Sequence, residues 1–352
     1  MIVKRNYLID IVRVLAIVGV IVVHTVNNII RQVNFDILRL PILFSIERLF
    51  RYAVPLFFIV SGYTLTYRYG KRAFSKEFYY RRLIRIVIPY IIWSTLYTIM
   101  DGDFQITSVV DKDFIVKILT GSAAIHLYFI PAIVLLNVFY PFLLNLAKKI
   151  TPVVAILFTV AEILLLSYDY YITPLPVGGP LRVALLNTFM FVVGILTCIH
   201  EKKVTLLVQK WFVSILAMLP MLYGLLIYQT LTLFLGSKRV DIINSQWQPL
   251  IFLITILLWL VLIAKPVVLS LGWKQVFEFL SRKSFFVYFI HVGIISIFWK
   301  IYGSRVFSST EGDVVDTFWF APISFIFVLF VSYLCAYLIL RIPYGKTLLG
   351  DG

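Results

Sequence analysis

The sequence predicts an all-α, polytopic membrane protein of about ten transmembrane helices with both termini cytoplasmic. Composition points there first. The chain is 61% hydrophobic and 14% charged, with a mean hydropathy of +0.96, whereas soluble domains carry about 25% charged residues. Patterning agrees, because one hydrophobic segment follows another from Leu8 to Leu340 with only short polar breaks. Basic residues, finally, gather at alternate ends of those segments, as the positive-inside rule requires.

Spans of about 20 apolar residues cross a bilayer as helices, and they fall near 8–29, 42–67, 83–100, 126–147, 152–168, 182–199, 211–235, 247–264, 283–301 and 319–341. The first follows Lys4 and Arg5, as a signal peptide would. Its apolar run is long, however, and ends in His24, Asn27 and Asn28 without a small-residue cleavage site, so an uncleaved helix is expected. No Gly/Ser or Pro-rich linker divides the chain, and residues 1–352 are expected to form one membrane domain.

Of the 32 basic residues, 20 fall on one side of these spans, including Arg68, Arg81, Arg82, Arg85, Lys148 and Lys149. Asp101, Asp103, Asp111, Asp113, Asp169, Asp241, Glu311, Asp313 and Asp316 fall on the other. The basic side is therefore expected to be cytoplasmic, and an even number of spans returns the C-terminus to it. The net charge of +15 is spread over membrane-flanking loops. Topology and contact with anionic membrane lipid explain it better than nucleic acid, which is not an expected partner. Cys198 and Cys335 lie in or beside apolar spans, where neither a disulfide framework nor a thiolate site is expected. Four histidines without Cys/His or HExxH spacing give no expectation of metal.

Ionisable groups inside spanning helices cost roughly 3 kcal/mol each on insertion scales, which makes them functional candidates. The first helix holds several. Asp10 and Arg13 are three apart and can pair on one face. His24 projects within about 20° of Arg13 and about 16 Å further along the axis. A helix-packing ion pair and an interhelical hydrogen bond are the competing reading. Glu162 in the fifth span is a lone carboxylate.

In the second span, Pro55 to Tyr63 reads PLFFIVSGY, and Ser61 with Gly62 suits close helix packing as well as a ligand contact. Arg82 and Arg85 share a helical face at the cytoplasmic start of the third span, suited to phosphate or to plain anchoring. His126 and Tyr128 open the fourth span from the outer side, where an imidazole and a phenol can meet a sugar or serve as interfacial anchors. Ser284, Tyr288 and His291 recur at spacings of four and three and line one face, for a substrate or for interhelical hydrogen bonds.

Taken together, these stretches resemble the acyltransferase-three family of multi-pass membrane proteins. NYLIDIVRVLAIVGVIVVHTVNN, with ten residues between Arg13 and His24, is similar to its first helix, and VPLFFIVSGYTL to its Ser-Gly motif. YYRRLIRIVIPYIIW resembles its basic third-helix start, HLYFIPAIVLL its fourth helix and SFFVYFIHVGII its penultimate one. Tyr128 stands where the family often has tryptophan. The chain resembles the stand-alone members, without an extracellular esterase-like domain.

The resemblance implies acyl transfer, commonly acetyl from cytoplasmic acyl-CoA, to a hydroxyl of a cell-surface or lipid-linked saccharide of the cell envelope. In that frame His24 is expected to act as general base or to accept the acyl group transiently, with Asp10 holding Arg13. Arg13, Ser61, Arg82 and Arg85 are expected to bind the acyl-CoA donor. His126, Tyr128, Ser284, Tyr288 and His291 are expected to meet the acceptor. The expected location is a cell membrane, the bacterial cytoplasmic one. A rival reading from a different class is a transporter or flippase for a polar lipid-linked glycan, since intramembrane charges also mark translocation paths.

Overall fold

The computed structural model describes residues 6–32, 40–70, 76–102, 105, 109, 112–237, 248–265, 269–303, 314–342 and 345, with the backbone alone for Arg81 and Arg82 among others. Among the described residues there are helices and no strands: α1 (Tyr7–Gln32), α2 (Leu40–Phe50), α3 (Ala53–Tyr69), α4 (Lys76–Asp101), α5 (Lys112–Thr120), α6 (Phe129–Ala147), α7 (Pro152–Ser167), α8 (Gly179–Ile199), α9 (Glu201–Lys210), α10 (Phe212–Ser237), α11 (Pro249–Ala264), α12 (Leu271–Phe298) and α13 (Val314–Ile339). Such a chain satisfies its backbone groups within each helix, which a hydrocarbon environment demands.

Among the described residues eight helical stretches are long and apolar enough to cross a membrane, α7 together with the turn that extends it to Ile172. The two other expected spans are shorter. The stretch 42–67 is broken at Arg51–Tyr52 into helices of 11 and 17 residues. Pro55 accounts for the break, because proline lacks the N–H that would bond the Arg51 carbonyl and its ring crowds that oxygen. The second is α11, 16 residues long, with Pro249 in its first turn.

The bundle packs around two cores. One joins α1, α3, α6, α8 and α11 through Val12, Leu56, Phe58, Tyr63, Tyr140, Phe191 and Trp259. The closest helix pair in it is α3 with α8. The other joins α1, α4, α12 and α13 through Ile17, Ile21, Tyr97, Val287, Tyr288, Phe289 and Val328. Between α5 and α6 the chain folds back through turns at 121–128. Gly121 makes this possible with a φ of +73°, and a side chain there would press on the Tyr128 backbone. His126 therefore lies in a buried turn, and helix α6 begins at Phe129, three residues later than the sequence suggested.

Candidate active site

Three imidazoles meet in the interior. His24 comes from α1, His126 from the turn before α6 and His291 from α12. Their ring centroids lie 6.2 Å (His24 to His126), 5.2 Å (His24 to His291) and 5.0 Å (His126 to His291) apart. His126 and His291 are buried, at 2% and 0% exposure, while His24 is partly exposed. Apolar surroundings of this kind are costly for a polar ring unless a partner or a reaction uses it.

The three rings are held differently. Nδ1 of His291 lies 2.8 Å from the Tyr288 carbonyl and 3.2 Å from the Val287 carbonyl of its own helix. Carbonyls only accept, so Nδ1 carries the proton and Nε2 keeps a lone pair. That Nε2 has no hydrogen-bond partner among the described residues. Neither nitrogen of His126 has a well-aligned partner there either, although the Phe289 carbonyl is close. His24 feels the charges of Arg31 and Arg51.

Two tyrosines fix the frame. The Tyr288 hydroxyl donates to the His126 backbone carbonyl, tying the turn to α12. Tyr97 of α4 stands edge-on to His126 with centroids 5.4 Å apart. Its hydroxyl donates to the Phe289 carbonyl at 2.7 Å and accepts from the Gly293 N–H at 3.0 Å. Tyr97 was not among the expected site residues, and its one signal in the sequence is a phenol near the end of an apolar span.

The remaining expected residues are spread around this centre. Asp10 is buried and Arg13 half-buried on α1, one helix stripe below His24. Ser61 is half-buried on α3, beside Gly62, which approaches the α8 backbone closely. Arg85 is exposed on α4, and the Arg82 side chain lies outside the described residues. Tyr128 is half-buried and packs on the first core. Ser284 donates to the Ser281 carbonyl at 2.8 Å within its own helix, seven positions before His291. The structure thus assembles His24, His126, Tyr288 and His291, and does not bring the Ser284 hydroxyl to the imidazoles. Glu162 is buried with Oε1 unpartnered among the described residues.

Chemically, a cluster of imidazoles in which one ring keeps an unengaged nitrogen can take a proton from a hydroxyl or carry an acyl group. Among the described residues no group of three or more His, Cys, Asp or Glu side chains is arranged to hold a metal ion. Cys198 and Cys335 are both free.

The model of the acyltransferase-three family, described as an acyltransferase domain, matches residues 6–337. This chain belongs to the acyltransferase-three family. No curated protein and no solved structure matches it. Acyl transfer is the reaction class of an acyltransferase-three protein, and the eight long apolar helices fit its multi-pass membrane character.

Proposed function

We propose that this acyltransferase moves an acetyl group from cytoplasmic acyl-CoA to a hydroxyl of a cell-surface or lipid-linked saccharide, across a bacterial cytoplasmic membrane with both termini inside. The meeting of His24, His126 and His291 is the observation that carries this reading, because it gathers three imidazoles able to act as bases inside the bundle. Arg13, Arg82 and Arg85 supply cations for the donor's phosphates from the cytoplasmic side. Asp10 holds Arg13, and Ser61 contacts the donor.

In the reaction the acceptor hydroxyl oxygen attacks the thioester carbonyl while His24 takes its proton. The C–S bond then breaks, and the proton passes to the departing thiolate. His291, whose ring centroid lies 5.2 Å from that of His24 and whose Nε2 keeps a lone pair, is the second base beside it. Tyr288 holds the turn that carries His126, and Tyr128 with His126 faces the sugar. No metal enters this scheme.

The test is to incubate membranes holding wild type or His24→Ala with radiolabelled acetyl-CoA and to follow label into the glycan fraction. Label that appears with wild type and is lost in the variant supports the assignment. Equal labelling in both removes His24 from the chemistry, and passage of unmodified saccharide without label points to transport.

A further inference from the structure

Around His291, helix α12 is entered by a side chain from another helix. In an α-helix the Gly293 N–H pairs with the carbonyl four residues back, that of Phe289. Here the Tyr97 hydroxyl of α4 engages both groups, donating to the Phe289 carbonyl at 2.7 Å and accepting from the Gly293 N–H at 3.0 Å. A hydroxyl has one proton and two lone pairs, so a single group serves both ends. Side chains inserted into the backbone ladder in this way open or bend a helix turn. Glycine at 293 leaves room for the phenol, since a methyl there would lie 3.4 Å from the Tyr97 oxygen. One turn earlier on α4, Trp93 lies flat against the Phe289 ring with centroids 6.1 Å apart, which fixes the register of the two helices.

The same turn carries the contacts of two imidazoles. Val287 and Tyr288 present their carbonyls to Nδ1 of His291 at 3.2 and 2.8 Å. The next carbonyl in line, that of Phe289, lies beside the His126 ring as well as at the Tyr97 hydroxyl. Neither nitrogen of His126 has a hydrogen bond elsewhere among the described residues. Three consecutive carbonyls of α12 thus serve two of the three rings.

We propose that Tyr97 is a positioning residue that turns the Phe289 carbonyl toward His126. In a closed helix that carbonyl points along the axis at the N–H four residues on. Drawn to the Tyr97 hydroxyl, it leans toward α4 and the His126 ring, which stands edge-on to Tyr97. A carbonyl only accepts, so the His126 nitrogen nearer to it holds the proton and the other keeps a lone pair. One turn of α12 then sets the tautomer of both His126 and His291. The consequence for acyl transfer rests on the proposed reaction. The tautomer of His126 does not, and it is observed without turnover.

The experiment uses the full-length protein, labelled with ¹⁵N at histidine alone, reconstituted in lipid and followed by solid-state NMR. The chain has four histidines, and His126→Gln identifies the signals of that ring. Wild type is expected to show His126 as one tautomer. Tyr97→Phe keeps the ring and lets the Gly293 N–H close onto the Phe289 carbonyl, so the His126 signals are expected to move toward the average of the two tautomers. Thermal stability should hold, because neither backbone group is left unmet. Under the acyl-transfer reading, kcat falls about tenfold with KM for acetyl-CoA unchanged. Gly293→Ala presses on the hydroxyl from the α12 side, and it is expected to move the His126 signals in the same direction and to add nothing in the Tyr97→Phe background. His126 signals that are identical in wild type and Tyr97→Phe overturn the proposal, and so do additive effects of the two substitutions. A tautomer change in Tyr97→Phe, where even wild type transfers no acetyl group, would sink the proposed reaction and leave the role of Tyr97 standing.

Discussion

Gly62 on α3 and Gly194 on α8 interlock: a methyl at Gly62 would overlap the Phe191 carbonyl, and one at Gly194 would overlap the Ile59 carbonyl. Each glycine thus meets the turn three residues before the other, the close approach that small residues permit between membrane helices. Gly62→Ala and Gly194→Ala are each expected to cost about 1–3 kcal/mol, because backbone cannot rotate aside as a side chain can. Gly224→Ala is the control, since nothing lies within 4 Å of its added methyl. Thermal unfolding in detergent reads all three, and a Gly62→Ala protein as stable as wild type would disprove the close contact.

The imidazoles are expected to respond unequally. His24→Ala should lower acetyl transfer by about 10²- to 10⁴-fold, the range of a lost general base. His291→Asn keeps a donor for the Tyr288 carbonyl but removes the lone pair at Nε2. It should fold normally and still lose activity. Steady-state rates beside unfolding curves separate the two effects, and a fully active His291→Asn would show that Nε2 is a bystander.

Tyr288→Phe leaves the ring and deletes only the hydroxyl that donates to the His126 carbonyl. Losing one such bond is worth about 1 kcal/mol, with more if the carbonyl stays buried and unmet. If Tyr288 positions the turn, kcat should fall about tenfold with KM for acetyl-CoA unchanged. A rise in that KM with kcat intact would mean that the phenol contacts the donor instead.

Asp169 and Arg182 pair through two parallel hydrogen bonds, with the carboxylate side chain at 0% exposure. Removing one partner of a fully buried pair costs about 3–5 kcal/mol, and less is expected here because the Arg182 side chain is 26% exposed. Asp169→Asn and Arg182→Gln are each expected to destabilise, and the double variant to cost less than the two added together. Strict additivity in that double-mutant cycle would show that the pair is not coupled.

Much of the site was legible along single helices and little of it between them. Arg13 with His24, and Tyr288 with His291, followed from periodicity, because the side-chain direction repeats every 3.6 residues. That His24 and His291 meet could not be read this way, since their contact depends on how α1 packs against α12. His126 was placed at the opening of a helix because HLYFIPAIVLL is apolar throughout, and nothing in hydropathy marks a turn that is itself buried. Arg51 and Glu47, four residues apart, pair inside the bundle, and that spacing is a usable sign of a buried pair in the sequence. The break at Arg51–Tyr52 was masked in the same way by continuous hydrophobicity, with Pro55 its only mark.

The three histidines are drawn from positions 24, 126 and 291, and the phenol that steadies them reaches across 196 residues to Gly293. During synthesis the first imidazole enters the membrane long before the last one exists. A ribosome-bound chain that stops short of α12 therefore carries the first stripe of polar groups but no histidine cluster, which closes only with the insertion of one late helix.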